Sequence, residues 1–137
     1  MEYCKQHEIP IIPVGAKGTG TLVSTPNDFG IGICIHKDER FDLDFFVNGF
    51  VEIFRKYTDK EIVNQGNDIM YDDKKVCGFT FYDLNNMFMI ISPISFSEKA
   101  ELVANICTNK PQTKEVGYID FMDRDDLRRE VEAWLNC

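Results

Sequence analysis

Apolar positions along this chain recur with two distinct periods. Leu43, Phe46, Val47, Phe50 and Phe54 fall at i, i+3, i+4, i+7 and i+11, one face of a helix. Asp42 stands where an N-cap belongs, and Arg55 and Lys56 put cations in the last turn, where the helix dipole favours them. Gly49 inside that helix costs about 1 kcal/mol relative to alanine, which predicts a close approach by a neighbouring element. The Phe stripe reads as core rather than as a cofactor surface. Residues 31–35 instead alternate isoleucine with glycine and cysteine. That predicts a strand with one bulky face and one face packed closely against a neighbour. Residues 87–91 are an apolar strand, residues 61–64 a short one, and 69–92 reads as a three-strand antiparallel meander. Its turns fall at Asp72 and Asp73 and at residues 83–86.

The remaining segments are read by their punctuation. Residues 9–14 are apolar but hold Pro10 and Pro13, which predicts an edge strand or a strand end. Residues 15–20 carry three glycines, a loop whose backbone can come close to a ligand, and residues 21–23 resume a strand. Thr25, Pro26, Asn27 and Asp28 signal a turn. Ser95, Phe96, Ser97 and Glu98 have the spacing of a capping box, opening a helix with Ala100, Leu102, Val103 and Ile106 inward. Residues 108–113 are a loop and 116–119 a short strand or turn. Asp123 caps a last helix with Leu127, Val131, Trp134 and Leu135 on one face. Strands mixed with separated helices, without regular βαβ alternation, predict an α+β fold. Its central sheet is mainly antiparallel or mixed, with about three helices packed on it.

Composition narrows the class. The 137 residues suit one domain with one core, so residues 1–137 are read as a single domain. With 44% hydrophobic and 28% charged residues the chain is a soluble globular domain rather than a disordered one. A net charge of −8 argues against a broad nucleic-acid surface. It leaves room for a small phosphate ligand held by one lysine and backbone N–H groups. The five cysteines are scattered, with no CxxC and no Cys/His pair at metal spacing, and read as free thiols in a reducing compartment. The first residues are polar and no apolar run reaches membrane-span length, so no membrane partner and a cytoplasmic location are expected.

The stretch from Gly66 to Gly78 gathers the candidate chemistry. Asn67 and Asp68 open a short strand, Asp72 and Asp73 turn it, and Lys74, Lys75, Val76, Cys77 and Gly78 return. Amide, carboxylate, ammonium and a small residue this close together suit an anion or nucleotide-phosphate site. On its own Lys75 reads as a solvated strand lysine and Asp68 as a turn-flanking carboxylate. Alternation points Lys74 away from Lys75 and into solvent.

In residue type, spacing and hairpin context, these residues resemble the catalytic domain of the lipoate/biotin protein ligase family. That family has an Asn-Asp pair, a strand, a turn, then Lys, an apolar residue, a small residue and Gly. Residues 9–20, followed by Thr21, Leu22, Val23 and residues 26–31, are similar to its strand, glycine loop and next strand, so the likeness runs over residues 9–106. Gly66 precedes Asn67 without a Trp-Pro pair, which favours the lipoate branch. The resemblance implies activation of lipoate, octanoate or biotin by ATP with Mg2+, followed by transfer to a lysine of a lipoyl-acceptor domain. By position it makes Lys75 the catalytic lysine and Asn67 and Asp68 the pair near the phosphates, with Asp68 a candidate Mg2+ ligand. Lys17, Gly18, Thr19 and Gly20 match the loop over the adenylate and acyl chain, and Gly78 the close-approach glycine. Lipoate or lipoyl-AMP is the implied ligand.

The sequence departs from the family pattern at three places. Gly18, Thr19 and Gly20 stand for three consecutive glycines, and Val14 and Gly15 for an arginine pair, with Lys17 replacing charge but not bidentate geometry. The family's first strand-helix unit and its accessory C-terminal domain have no counterpart. Alternatives to an active ligase therefore stay open. One is a non-catalytic module that binds lipoyl, adenylate or acceptor. Another is a partner-dependent fragment, completed by a companion ligase chain or by homodimerisation at the edge near residues 9–14. A cysteine-based octanoyltransferase would use Cys77 or Cys107, for which no neighbouring histidine is evident.

Overall fold

The computed structural model describes residues 2–11, 23–37, 42–108 and 114–136. In chain order run α1 (Glu2–Gln6), β1 (Phe29–His36), α2 (Leu43–Arg55), β2 (Ile62–Gln65), β3 (Asp68–Tyr71) and β4 (Lys74–Gly78). They are followed by β5 (Thr80–Asp83), β6 (Met87–Ile94), α3 (Ala100–Ile106) and α4 (Arg124–Leu135). The six strands form one sheet in the order β1-β6-β4-β3-β2, with β5 also on β6. Every ladder is antiparallel, so the α+β expectation holds in its antiparallel form. The lone parallel contact among the described residues is the bridge of Lys75 to Val116.

α2 forms as its pattern predicts. The Asp42 carboxylate accepts the Phe45 N–H, and Val47, Phe50 and Phe54 are fully buried. Burying each such Phe is worth about 1.5–3 kcal/mol. They meet Ile69, Val76, Cys77 and Ile94 from one face of the sheet and Leu127 and Val131 from α4 in a single core cluster. Gly49 lets α4 in: a Cβ there would lie 2.2 Å from the Trp134 ring. α4 starts at Asp123 in a capping box with Asp126, as its sequence predicts.

Other expectations need correcting. α3 begins at Ala100 behind Lys99, which makes no side-chain cap. The Ser95–Glu98 box does not form; instead Glu98 accepts the Ala100 N–H at 2.8 Å. Ser95 is drawn into the sheet margin, donating its N–H to Val76 and accepting that of Ile119. The middle strand of the meander breaks at Phe79, whose N–H turns to the Asn67 carbonyl, so β4 and β5 share the same side of β6. Ile9, Pro10 and Ile11 form no strand, nor does Val23. At Gly30 and Gly32 an added Cβ would find nothing within 4 Å, so the close neighbour expected on that face of β1 is not found among the described residues. Pro13, Val14, the glycine loop with Lys17, Gly18, Thr19 and Gly20, and Thr21 and Leu22 lie outside the described residues, as do residues 109–113. α1, not anticipated, lies against α3.

Candidate functional site

Two tight turns set the site. Gly66 and Asn67 (φ 62° and 68°) join β2 to β3, and Asp72 and Asp73 (φ 51° and 64°) join β3 to β4. Consecutive left-handed residues are the geometry of a two-residue hairpin, which Gly, Asn and Asp tolerate best. The Asn67 backbone is held on both sides: its N–H donates to the Asn64 side chain at 3.0 Å and its carbonyl accepts from Phe79 at 3.3 Å.

Counting back from the second turn pairs Lys75 with Met70, so Lys75 shares a sheet face with Asp68. A regular ladder would then set Cys77 opposite Asp68. Instead β4 gains a residue at Val76, Cys77 pairs with Ile69, and Gly78 stands opposite Asp68. Such a bulge re-aims the side chains beyond it. It sends Cys77 into the core and leaves no side chain between Asp68 and Lys75. A Cβ on Gly78 would lie 2.9 Å from Asp68 Oδ1 and 3.2 Å from Lys75 Nζ.

The Lys75 ammonium sits 3.2 Å from Asp68 Oδ1, with 40% of its side chain exposed. Its backbone is fixed by a third segment: Lys75 N–H donates to Glu115 O at 2.7 Å and Gly117 N–H to Lys75 O at 2.8 Å. The same segment carries Lys114, which sequence reading missed. Lys114 Nζ donates to Asp68 Oδ2 at 2.7 Å and to the Gln65 carbonyl at 2.8 Å. No periodicity signals this lysine, because its partner lies 46 residues away. One carboxylate thus lies between two ammonium groups, a net positive and partly exposed centre. Lys74 points to the opposite face, half-exposed, and pairs with Glu115 at 3.4 Å.

The residues considered for alternative chemistry fall elsewhere. Burial pushes the Cys77 thiol up to about 12, on the face away from Lys75, so it offers no thiolate. Cys4, Cys34, Cys77 and Cys107 are all free thiols. Among the described residues no three His, Cys, Asp or Glu side chains gather as metal ligands. A Mg2+ at Asp68 would meet a carboxylate whose two oxygens already face ammonium groups. Nor, among the described residues, is any helix long and apolar enough to cross a membrane.

No family model matches the sequence, and no curated protein does. Solved structures do match the fold. Plasmodium falciparum LipL1 in complex with lipoate superposes with a TM-score of 0.77 at 12% identity, over 98% of this chain and 41% of that one. The bipartite lipoate protein ligase of Thermoplasma acidophilum, described with its E2 lipoyl domain, gives 0.71 at 13%, over 96% and 58%. A lipoate-protein ligase A bound with ATP gives 0.71 at 15%, over 95% and 59%. The chain therefore has the lipoate/biotin protein ligase catalytic fold, and spans between 41% and 59% of the length of these three structures.

Proposed function

We propose that this chain, built on the lipoate/biotin ligase catalytic fold, activates lipoate or a related acyl acid with ATP and transfers it to a lysine of a lipoyl-acceptor domain. The observation that carries the reading is the Lys75–Asp68 pair, 3.2 Å apart on one face of the hairpin, at the positions where the family has its lysine and its Asn-Asp pair. Likeness to ligases described with lipoate and with ATP supports both ligands.

In the first step a carboxylate oxygen of the acid attacks the α-phosphorus of ATP. A P–O bond forms, the bond to the β-phosphate oxygen breaks, and pyrophosphate leaves. In the second step the acceptor's amine nitrogen attacks the acyl carbonyl. A C–N bond forms, the C–O bond to AMP breaks, AMP leaves as the anion, and the amine proton goes to solvent. Negative charge builds on adjacent oxygens in both steps, and one fixed ammonium stabilises both. Lys75 is that ammonium. Asp68 holds it in place and Gly78 leaves the space for it. Asn67 shapes the phosphate end. By the family likeness, Lys17, Gly18, Thr19 and Gly20 are the residues assigned to adenylate and acyl-chain binding. A reducing cytoplasmic setting suits the free thiols.

A second reading, that the chain works with a companion ligase chain, is supported by its likeness to the bipartite ligase. One experiment tests both. The protein is incubated with ATP, lipoate and a lipoyl-acceptor domain, and the acceptor's mass is followed, with and without added companion chain. Mass gain that is lost in Lys75→Ala and kept in Lys74→Ala supports the catalytic reading. Gain only with the companion supports the second. A thermal shift with lipoyl-AMP but no gain in either arm overturns both in favour of a binding module.

A further inference from the structure

Asp68 is the only carboxylate that Lys75 contacts among the described residues, and it is shared. Its Oδ1 faces Lys75 at 3.2 Å, a long contact to a 40% exposed side chain. Its Oδ2 faces Lys114 at 2.7 Å, and Lys114 is 24% exposed and anchored besides on the Gln65 carbonyl at 2.8 Å. The two lysines are therefore unlike. Lys75 is held by one carboxylate oxygen and is accessible, whereas Lys114 is fixed at two points. Lys114 spends two of its three N–H donors on these partners and keeps one. Two ammonium groups about one carboxylate carry a net charge of +1, which attracts an anion without any further cation. A divalent ion seeking Asp68 would have to displace Lys114, the shorter of the two contacts.

We propose that Lys114 is the resident second cation of this site, standing on Asp68 where a divalent ion would otherwise bind, so that the phosphate of a nucleoside monophosphate or acyl-adenylate is met by the exposed sides of both Lys75 and Lys114 without a metal at Asp68. The identity of the anion rests on the ligase reading; the lysine pair does not. Lys114 acts as a binding residue for phosphate and as the clamp that keeps Asp68 fixed beside Lys75. Its segment supplies the position: Glu115 and Gly117 are hydrogen-bonded to the backbone of Lys75, so the two lysines are held together by the chain itself.

Titration calorimetry of the full chain with AMP, and separately with inorganic pyrophosphate, tests this in Mg2+ and in EDTA. Affinity for both should agree within about twofold between the two buffers. Lys114→Met should weaken both ligands about tenfold or more and make the residual binding Mg2+-dependent, because Asp68 Oδ2 is then free, while Lys114→Arg should retain metal-independent binding. Lys74→Met, on the opposite face, should bind as the parent does. Circular dichroism confirms that each variant is folded; if Lys114→Met is not, the Mg2+ comparison on the parent chain and Lys114→Arg decides. Binding by the parent that requires Mg2+, undiminished binding by a folded Lys114→Met, or no binding of either anion overturns the proposal. Failure of the ligase reading shows separately, as metal-independent pyrophosphate binding without any acyl transfer.

Discussion

Gly78 faces Asp68 across the β3–β4 ladder, where a Cβ would lie 2.9 Å from the carboxylate. The bulge at Val76 brings this about, and it leaves no side chain at position 78 to crowd Asp68 and Lys75. Gly78→Ala should therefore push Asp68 and Lys75 apart without unfolding the chain, since the atoms it meets are the ends of flexible side chains. Displacing a reacting group by about 1 Å can cost on the order of 10²-fold in rate. Acyl transfer by Gly78→Ala should fall by about ten- to a hundredfold, with the urea midpoint nearly unchanged. Full activity would show that the pair tolerates displacement.

At Gly49 the opposing effects can be ranked. Alanine is favoured in a helix by about 1 kcal/mol over glycine, but its Cβ would lie 2.2 Å from the Trp134 ring, a rigid neighbour. Overpacking of this kind costs about 1–3 kcal/mol and should win. Gly49→Ala should lower stability in urea unfolding, and Gly49→Ala with Trp134→Leu should recover part of the loss.

Lys99 and Asp28 form a buried ion pair at 2.8 Å, their side chains 8% and 2% exposed. Lys99 also donates to the Val23 carbonyl at 2.9 Å, which ties the 23–28 turn to the start of α3. Lys99→Met strands a buried carboxylate, a change that costs about 3–5 kcal/mol. Lys99→Met with Asp28→Asn should be more stable than the single variant, as measured by chemical denaturation. Equal stability would mean that water reaches Asp28.

Glu130 of α4 accepts from Lys56 Nζ and from the Tyr57 hydroxyl, each at 3.0 Å, tying α4 to the end of α2. These bonds, that of Lys56 first, hold its carboxyl below the ordinary 4.5. A depressed carboxylate stabilises the fold fully above its unfolded value, and the effect fades as pH falls through the lower folded value. Comparing urea midpoints of the parent and Glu130→Gln should show a small gap at pH 7 that closes as the pH drops below 4.5. A gap that persists to pH 2 would assign it to packing instead.

What the sequence by itself determined is local. Asp42 and the Phe stripe specify α2, Asp123 starts α4, and Asp72 and Asp73 turn the hairpin so that Lys75 and Asp68 share a face. Each depends on residues a few positions apart, where dihedral preference and hydrophobic period act directly. Ser95 and Glu98 show the limit of such signals, because the sheet margin claimed Ser95 and the helix began later. Only the tertiary structure decided the extra residue at Val76, the break at Phe79, and the arrival of Lys114 at Asp68 from 46 residues away. Spacing along a chain carries no record of these. Register is set by which pairing buries Ile69, Val76 and Cys77 together in the core, and an ion pair between distant segments exists only once that core has closed.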